Sequence, residues 1–175
     1  MRFIKVFLAG AIGLFLVMTL LSLLIPSRVK VSRTTLINNT TKAKVVEQLA
    51  ILSNWKNWHP VFKNSDAKII ITAAGAKADT AEIVYGNKSA KLVITSRDSN
   101  AVKFILQSPG ENDIQNEVFV SSIPGQYNVQ VEWRALNHLK WYPWEKFYGI
   151  FVDKLTGPGY EQALGGLKDY LESGR

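Results

Sequence analysis

The chain has 175 residues, no cysteine and a formal charge of +7. That length suits one domain of ordinary size with a real core, and without cysteine there are no disulfides, thiolate catalysis, Cys-ligated zinc or lipidated N-terminal cysteine. Arg2, Lys5, Arg28, Lys30, Arg33, Lys42 and Lys44 carry the whole charge excess; from residue 45 onward 14 basic and 14 acidic side chains cancel, which sets nucleic-acid binding aside.

Residues 6–25 are uncharged and mostly large and apolar. As a helix rising ~1.5 Å per residue they match the hydrocarbon core of a bilayer, about 30 Å thick. A cleaved signal peptide has a shorter apolar core, roughly 7–15 residues, and small residues at its cleavage point. Here the run ends Leu23-Leu24-Ile25-Pro26 with no Ala-x-Ala-like site, so the reading is an uncleaved anchor over 1–27 and a folded domain over 28–175. Ala9 and Gly13 make one small-xxx-small pair, which ordinary helix composition explains. Basic residues flank both ends of the span. The heavier cluster after it favours a cytoplasmic domain, and the short tail with Arg2 and Lys5 favours the opposite side, the reading adopted here. Only Pro26 and Ser27 separate the span from the first strand-like residues, so Arg28, Lys30, Arg33, Lys42 and Lys44 are expected near the headgroups. Each would gain ~1 kcal/mol there from anionic lipid.

Residues 28–37 (RVKVSRTTLI) are rich in β-branched side chains and predict a strand. Asn38-Asn39-Thr40-Thr41 offers N-cap candidates, and Val45, Val46, Leu49, Ile51 and Leu52 predict a short amphipathic helix. SNWKNWHP reads as a second brief helical turn bearing Trp55 and Trp58, stopped by Pro60. From residue 67 the period becomes two, with strand-length runs at 68–73, 80–85, 90–96, 102–107, 114–121 and 127–135. Gly75, Gly86-Asn87, Asp98-Ser99-Asn100, Pro109-Gly110 and Pro124-Gly125 mark the turns. Connections this short join neighbouring antiparallel strands. Tyr127, Val129, Val131 and Trp133 share one face, with Asn128, Gln130, Glu132 and Arg134 on the other. Val102, Phe104 and Leu106, and Ala81, Ile83 and Tyr85, are corresponding apolar rows.

In the last third, 141–171, Pro143 stands where a helix can begin. Trp144, Phe147, Tyr148, Phe151, Val152 and Leu155 then recur at three- and four-residue spacing, one broad apolar face. Gly157-Pro158-Gly159 reads as a kink, after which Tyr160, Ala163, Leu164, Leu167, Tyr170 and Leu171 resume the period. No other element is long and aromatic enough to cover one face of the sheet.

This element order, the Asn54-Trp55-x-x-Trp58-x-Pro60 segment and the ending Tyr160-Glu161-x-x-Leu164-x-x-Leu167-Lys168 resemble the START-like superfamily, over residues 28–173. This is the polyketide cyclase/dehydrase and birch-pollen-allergen group, also called SRPBCC. The resemblance implies an α+β helix-grip fold, a curved seven-stranded antiparallel sheet wrapped around a long, kinked C-terminal helix and enclosing an apolar cavity. Members bind lipids, sterols, polyketides or other hydrophobic molecules, and only some are enzymes. With its N-terminal span the chain resembles membrane-anchored bacterial members, which implies a single-pass protein of the cell inner membrane; the extracytoplasmic side rests on the short basic tail alone.

Little in the sequence points to catalysis. His59 and His138 lack any paired spacing for zinc, and there is no nucleophile elbow or phosphate-cradling loop. Neither metal nor cofactor is expected. Glu132 falls on the wet face, Glu117 in a strand of ambiguous facing, and Glu145 at a helix start, where the dipole alone explains a carboxylate. The candidate cavity residues are Trp55, Trp58, His59, Tyr85, Phe104, Trp133, Trp141, Trp144, Tyr148 and Phe151, each also a plausible core filler. The reading is a membrane-anchored, non-catalytic module for a hydrophobic small molecule or lipid. The alternatives are a cyclase/dehydratase-type enzyme using a cavity acid or Tyr148 on a carbonyl compound, and a ligand-free domain docking another membrane protein.

Overall fold

The computed structural model describes residues 2–74 and 78–174; the turn expected at Gly75 lies outside them. Helix α1 (Arg2–Leu23) is exposed along nearly its whole length. Its mean hydropathy of 2.3 over Arg2–Ser22 makes it long and apolar enough to cross a membrane. Strand β1 (Arg28–Ile37) leads to α2 (Lys42–Ala50), whose N-cap is Thr41, its hydroxyl accepting from the Lys44 amide at 3.5 Å. A 3₁₀ turn (Leu52–Asn57) and α3 (Pro60–Lys63) follow. Pro60 does not simply stop the preceding turn. It opens α3, where a missing N–H costs nothing, and His59 caps it by accepting from the Val61 amide.

Six strands complete the sheet: β2 (Ala67–Ala74), β3 (Ala78–Tyr85), β4 (Lys88–Arg97), β5 (Ala101–Gln107), β6 (Ile114–Ser122) and β7 (Val129–His138). Their order is β1-β7-β6-β5-β4-β3-β2, every pair antiparallel. A register shift between Ile94 and Ser96 puts a bulge into β4, which bends the sheet there. Strand β7 starts two residues later than the alternation suggests. Tyr127 lies in the turn before it, behind Gly125 at φ +75°, and is exposed.

Strand parity sorts the two faces. Ile69, Ala81, Ile83, Leu92, Val102, Phe104, Val118, Val131 and Trp133 pack into one core, together with Val45, Leu49, Leu52 and Trp55 from the α2–α3 segment. Glu117 falls on the opposite face, paired with Lys103 at 2.9 Å, and Glu132 is there with Arg134 at 2.6 Å. The inner face is therefore shared: α5 lies mainly along β1, while α2 and the 3₁₀ turn cover β3, β5 and β6.

The last third is two helices, α4 (Pro143–Gly149) and α5 (Val152–Glu172), broken at Ile150–Phe151 rather than at Gly157-Pro158-Gly159. Three-residue bonds from the Ile150 and Phe151 amides to the Phe147 and Tyr148 carbonyls tighten the end of α4. Gly149 is pressed so closely on Leu139 that a Cβ would lie 2.2 Å from its Cδ1. Pro158 sits within α5, and Gly157 serves contact rather than a kink: a Cβ there would lie 2.1 Å from the Arg33 guanidinium. The covered face of α4 is Pro143, Lys146 and Gly149, continued by Val152 of α5. Trp144, Tyr148, Phe151 and Leu155, expected to face the sheet, point outward.

The basic residues separate along β1. Arg28 stands at the α1 end, whereas Ile37 is about 30 Å further at strand rise, so Lys42 and Lys44 of α2 occupy the end of the sheet remote from α1. Lys42 bonds Asn100, and Arg33 bonds Asp153 and Glu161. Arg28 and Lys30 are the two of the five that remain beside α1.

Candidate functional site

The centre of the sheet–helix seam is filled by rings. Trp55 lies 5.1 Å from Trp58, 5.4 Å from Phe62 and 5.3 Å from Phe104, ring centre to ring centre, and Phe104 lies 5.6 Å from Trp133. Tyr160 of α5 closes the block 5.4 Å from Trp133, and burial pushes its hydroxyl up to about 12. The indole N–H groups are all satisfied: Trp55 donates to the Leu49 carbonyl, Trp58 to the Gln48 carbonyl and Trp133 to the Asn116 side chain. His59 stacks on Trp55 at 5.2 Å, and burial lowers it from 6.5 to about 4, so it is neutral. Trp55, Trp58, His59, Phe104 and Trp133 of the candidate set thus form one interlocked aromatic core. Beyond it, Val31, Ala135 and Val152 make a smaller apolar cluster toward α1.

Open space survives at that same end. A cleft of about 320 Å³ lies where the β5–β6 loop and the end of β7 meet α4 and the start of α5. Its floor is Ile114 and Val152, and its walls include Asn112, Asn137, Tyr142, Glu145 and Tyr148. Asn112 donates to the His138 carbonyl at 2.6 Å and to the Glu145 carboxylate at 3.1 Å, which fixes the loop against α4. The Asn137 amide nitrogen is buried and has no hydrogen-bond partner among the described residues. An orphaned donor costs about 1–3 kcal/mol, and its residue is one of those that line the cleft.

Tyr148 alone of the ten candidates lines this cleft. Trp141 lines a separate depression with Leu23, Leu24, Ile25, Pro26 and Lys146. Tyr85, Trp144 and Phe151 are exposed. Sequence reasoning missed Asn112, Asn137 and Tyr142; the polar run Glu111-Asn112-Asp113 and the Asn137-His138 pair ending β7 were the available signals. A larger depression, about 530 Å³, lies on the outer face of the sheet. Lys103–Glu117 on that face are already paired, as are Arg134 and the neighbouring Glu132, which leaves Lys30 as the remaining cation of its lining.

A seven-stranded antiparallel sheet gripping a C-terminal helix is the helix-grip fold. No family model and no curated protein matches the chain. Among solved structures it is similar to norcoclaurine synthase from Thalictrum flavum, a point mutant in complex with a transition-state analogue. The TM-score is 0.64 at 13% identity, over 85% of this chain and 97% of that one. The Zhui aromatase/cyclase from Streptomyces sp. R1128 gives 0.63 at 13% identity, over 85% and 96%. The di-domain aromatase/cyclase StfQ of the steffimycin biosynthetic pathway gives 0.63 at 8% identity, over 83% of this chain and 51% of that one. At such identities the likeness is one of fold: this chain shares the architecture of cyclase-type helix-grip proteins.

Proposed function

We propose that the protein is a membrane-anchored binding module that holds an apolar molecule bearing an acceptor oxygen, a lipid or similar compound, in the cleft between β6–β7 and α4–α5. The observation that carries the reading is Asn137, an unpaired buried donor lining a cleft with the apolar floor of Ile114 and Val152. Burying the ligand's apolar part contributes ~25 cal/mol per Å², and Asn137 fixes its polar end. The similar fold of norcoclaurine synthase, solved in complex with a transition-state analogue, supports a small-molecule ligand for this one. In this chain aromatic packing confines that ligand to the α1 end. Helix α1 serves as the anchor, with the domain on the extracytoplasmic side of an inner membrane.

Native mass spectrometry of the full chain, purified from cells in detergent, tests the reading. A co-purifying apolar adduct is expected, and it should be lost in Asn137→Leu; a consistently empty wild-type protein overturns it. One observation favours a second reading, acid–base chemistry on a carbonyl compound: Glu145 lines the cleft, held by Asn112, beside Tyr148. On that reading Glu145→Gln retains the adduct in an unconverted form, whereas on the first it leaves the adduct's identity unchanged.

A further inference from the structure

The outward stripe of α4–α5 has no cover among the described residues. Trp144 is 64% exposed, Tyr148 49%, Phe151 54% and Leu155 61%, and Trp141 beside them is 71% exposed. They follow one another at helical spacing across the α4–α5 break, so the apolar surface is continuous rather than scattered. Tyr142 stacks on Trp144 at 4.6 Å, which stiffens its start.

The position of this stripe is fixed relative to α1. Lys146, buried on the opposite side of α4, donates to the Ile25 carbonyl at 3.0 Å and to the Ser27 hydroxyl at 2.5 Å. A cation at that point also suits the carbonyl end of a helix. The Leu139 amide donates to the Ser27 carbonyl at 2.8 Å, so the link is held from the sheet as well. Residues 24–27 between α1 and β1 reach at most about 14 Å when extended. Trp141 lines the depression formed by Leu23, Leu24 and Ile25, so the exposed aromatic surface runs directly into the apolar surface of α1.

We infer that this aromatic apex, Trp141 with Trp144, Tyr148, Phe151 and Leu155, lies in the interfacial layer of the bilayer that α1 crosses. The inference rests on α1 being a membrane span. Tryptophan and tyrosine suit this layer because an apolar ring and a polar tip meet an apolar–polar boundary, and the amphipathic helix lies in the plane with its apolar side down. Tyr148 belongs both to the stripe and to the cleft wall. The cleft therefore opens onto lipid rather than onto bulk water, and an amphipathic molecule passes from membrane to cleft without crossing solvent.

The test uses the full chain in phosphatidylcholine vesicles carrying bromine high on the acyl chains, with flotation to score insertion. Helix α1 holds no tryptophan, and Trp55, Trp58 and Trp133 are buried in the domain, so contact quenching reports Trp141 and Trp144. About two-fifths of the emission of the five tryptophans should be quenched, assuming equal yields. Trp141→Phe with Trp144→Phe should abolish most of that quenching while far-UV circular dichroism stays unchanged. Flotation without quenching, or quenching that survives the double replacement, overturns the inference while leaving the anchor intact. Failure to float removes the anchor itself, and with it the inference. Unquenched emission combined with crosslinking of copies through position 144 assigns the stripe to a protein partner and also overturns it.

Discussion

Protonation of His59 should limit stability in mild acid. The imidazole is walled by Trp55, Trp58, Phe62 and Trp133, all within 6.1 Å ring to ring, and none of these carries charge to offset an imidazolium. Its Nδ1 accepts from the Val61 amide, a bond that protonation removes. In the unfolded chain the ring takes its proton near 6.5, in the folded protein only near 4. The unfolded state therefore binds more protons between those values, so stability is complete above 6.5 and is lost as pH falls toward 4. The full difference is about 3 kcal/mol, of which about 2 kcal/mol is gone by pH 5. Hydrogen bonds from Arg134 and Ser32 hold Glu132 near 2, and backbone amides lower Asp98. Their stabilising effects disappear only below the ordinary carboxylate range, so a comparison of pH 7.5 with pH 5 isolates the imidazole. Urea unfolding of the full chain in detergent, followed by tryptophan emission at the two pH values, measures the loss. His59→Gln should flatten the dependence. An equal loss in wild type and His59→Gln would refute the assignment.

Three further outcomes are expected. A Cβ at Gly166 would lie 2.2 Å from the Trp58 carbonyl oxygen, whereas one at Gly165 meets nothing within 4 Å. Gly166→Ala should therefore cost about 2 kcal/mol, while Gly165→Ala should gain up to about 1 kcal/mol from helix propensity; thermal unfolding of the pair decides. Asn137→Leu, which removes the orphaned donor, should stabilise the ligand-free protein by about 1 kcal/mol, and an unchanged midpoint would argue that the donor is already satisfied. Lys146→Ala should leave the core intact but free residues 24–27 from α4, seen as faster proteolysis in that link than in wild type.

The strand pattern was legible because alternation is a local property. Every run with period two became a strand, and parity put Val102, Phe104 and Trp133 inside and Glu132 outside, as found. Two things were not legible. Pro60 and Pro158 were read as breakers, yet each occupies a helix, the first at N1 and the second within α5. Glycine, not proline, marks the tight places: Gly149 against Leu139, Gly157 against Arg33 and Gly166 against Trp58. The cleft was invisible for a different reason. Its walls come from the 110–112 loop, the end of β7 and the start of α4–α5, which only the sheet closure brings together, and its key side chain, Asn137, is marked in the sequence only by the polar pair it forms with His138.

The stripe on α4 shows where periodicity misleads. A helical pattern of large apolar residues identifies a face that avoids water, but not what covers it. Applied to Trp144, Tyr148, Phe151 and Leu155, the rule that apolar faces turn toward a sheet pointed inward, while the structure buries Pro143, Lys146 and Gly149 instead. Two apolar surfaces were available, the sheet and the region around α1, and the inner face of the sheet was already covered. The α2–α3 segment supplies Trp55, Trp58 and Phe62, and α5 supplies Leu164 and Leu167. With its neutral and charged anchors in place, Gly149 on Leu139 and Lys146 on Ile25, α4 presents its aromatic side away from the protein and beside α1. The packing that fills the centre of the seam thus also leaves the cleft and the aromatic stripe together at the α1 end, a spatial coupling that binding from a membrane requires and that a soluble carrier does not.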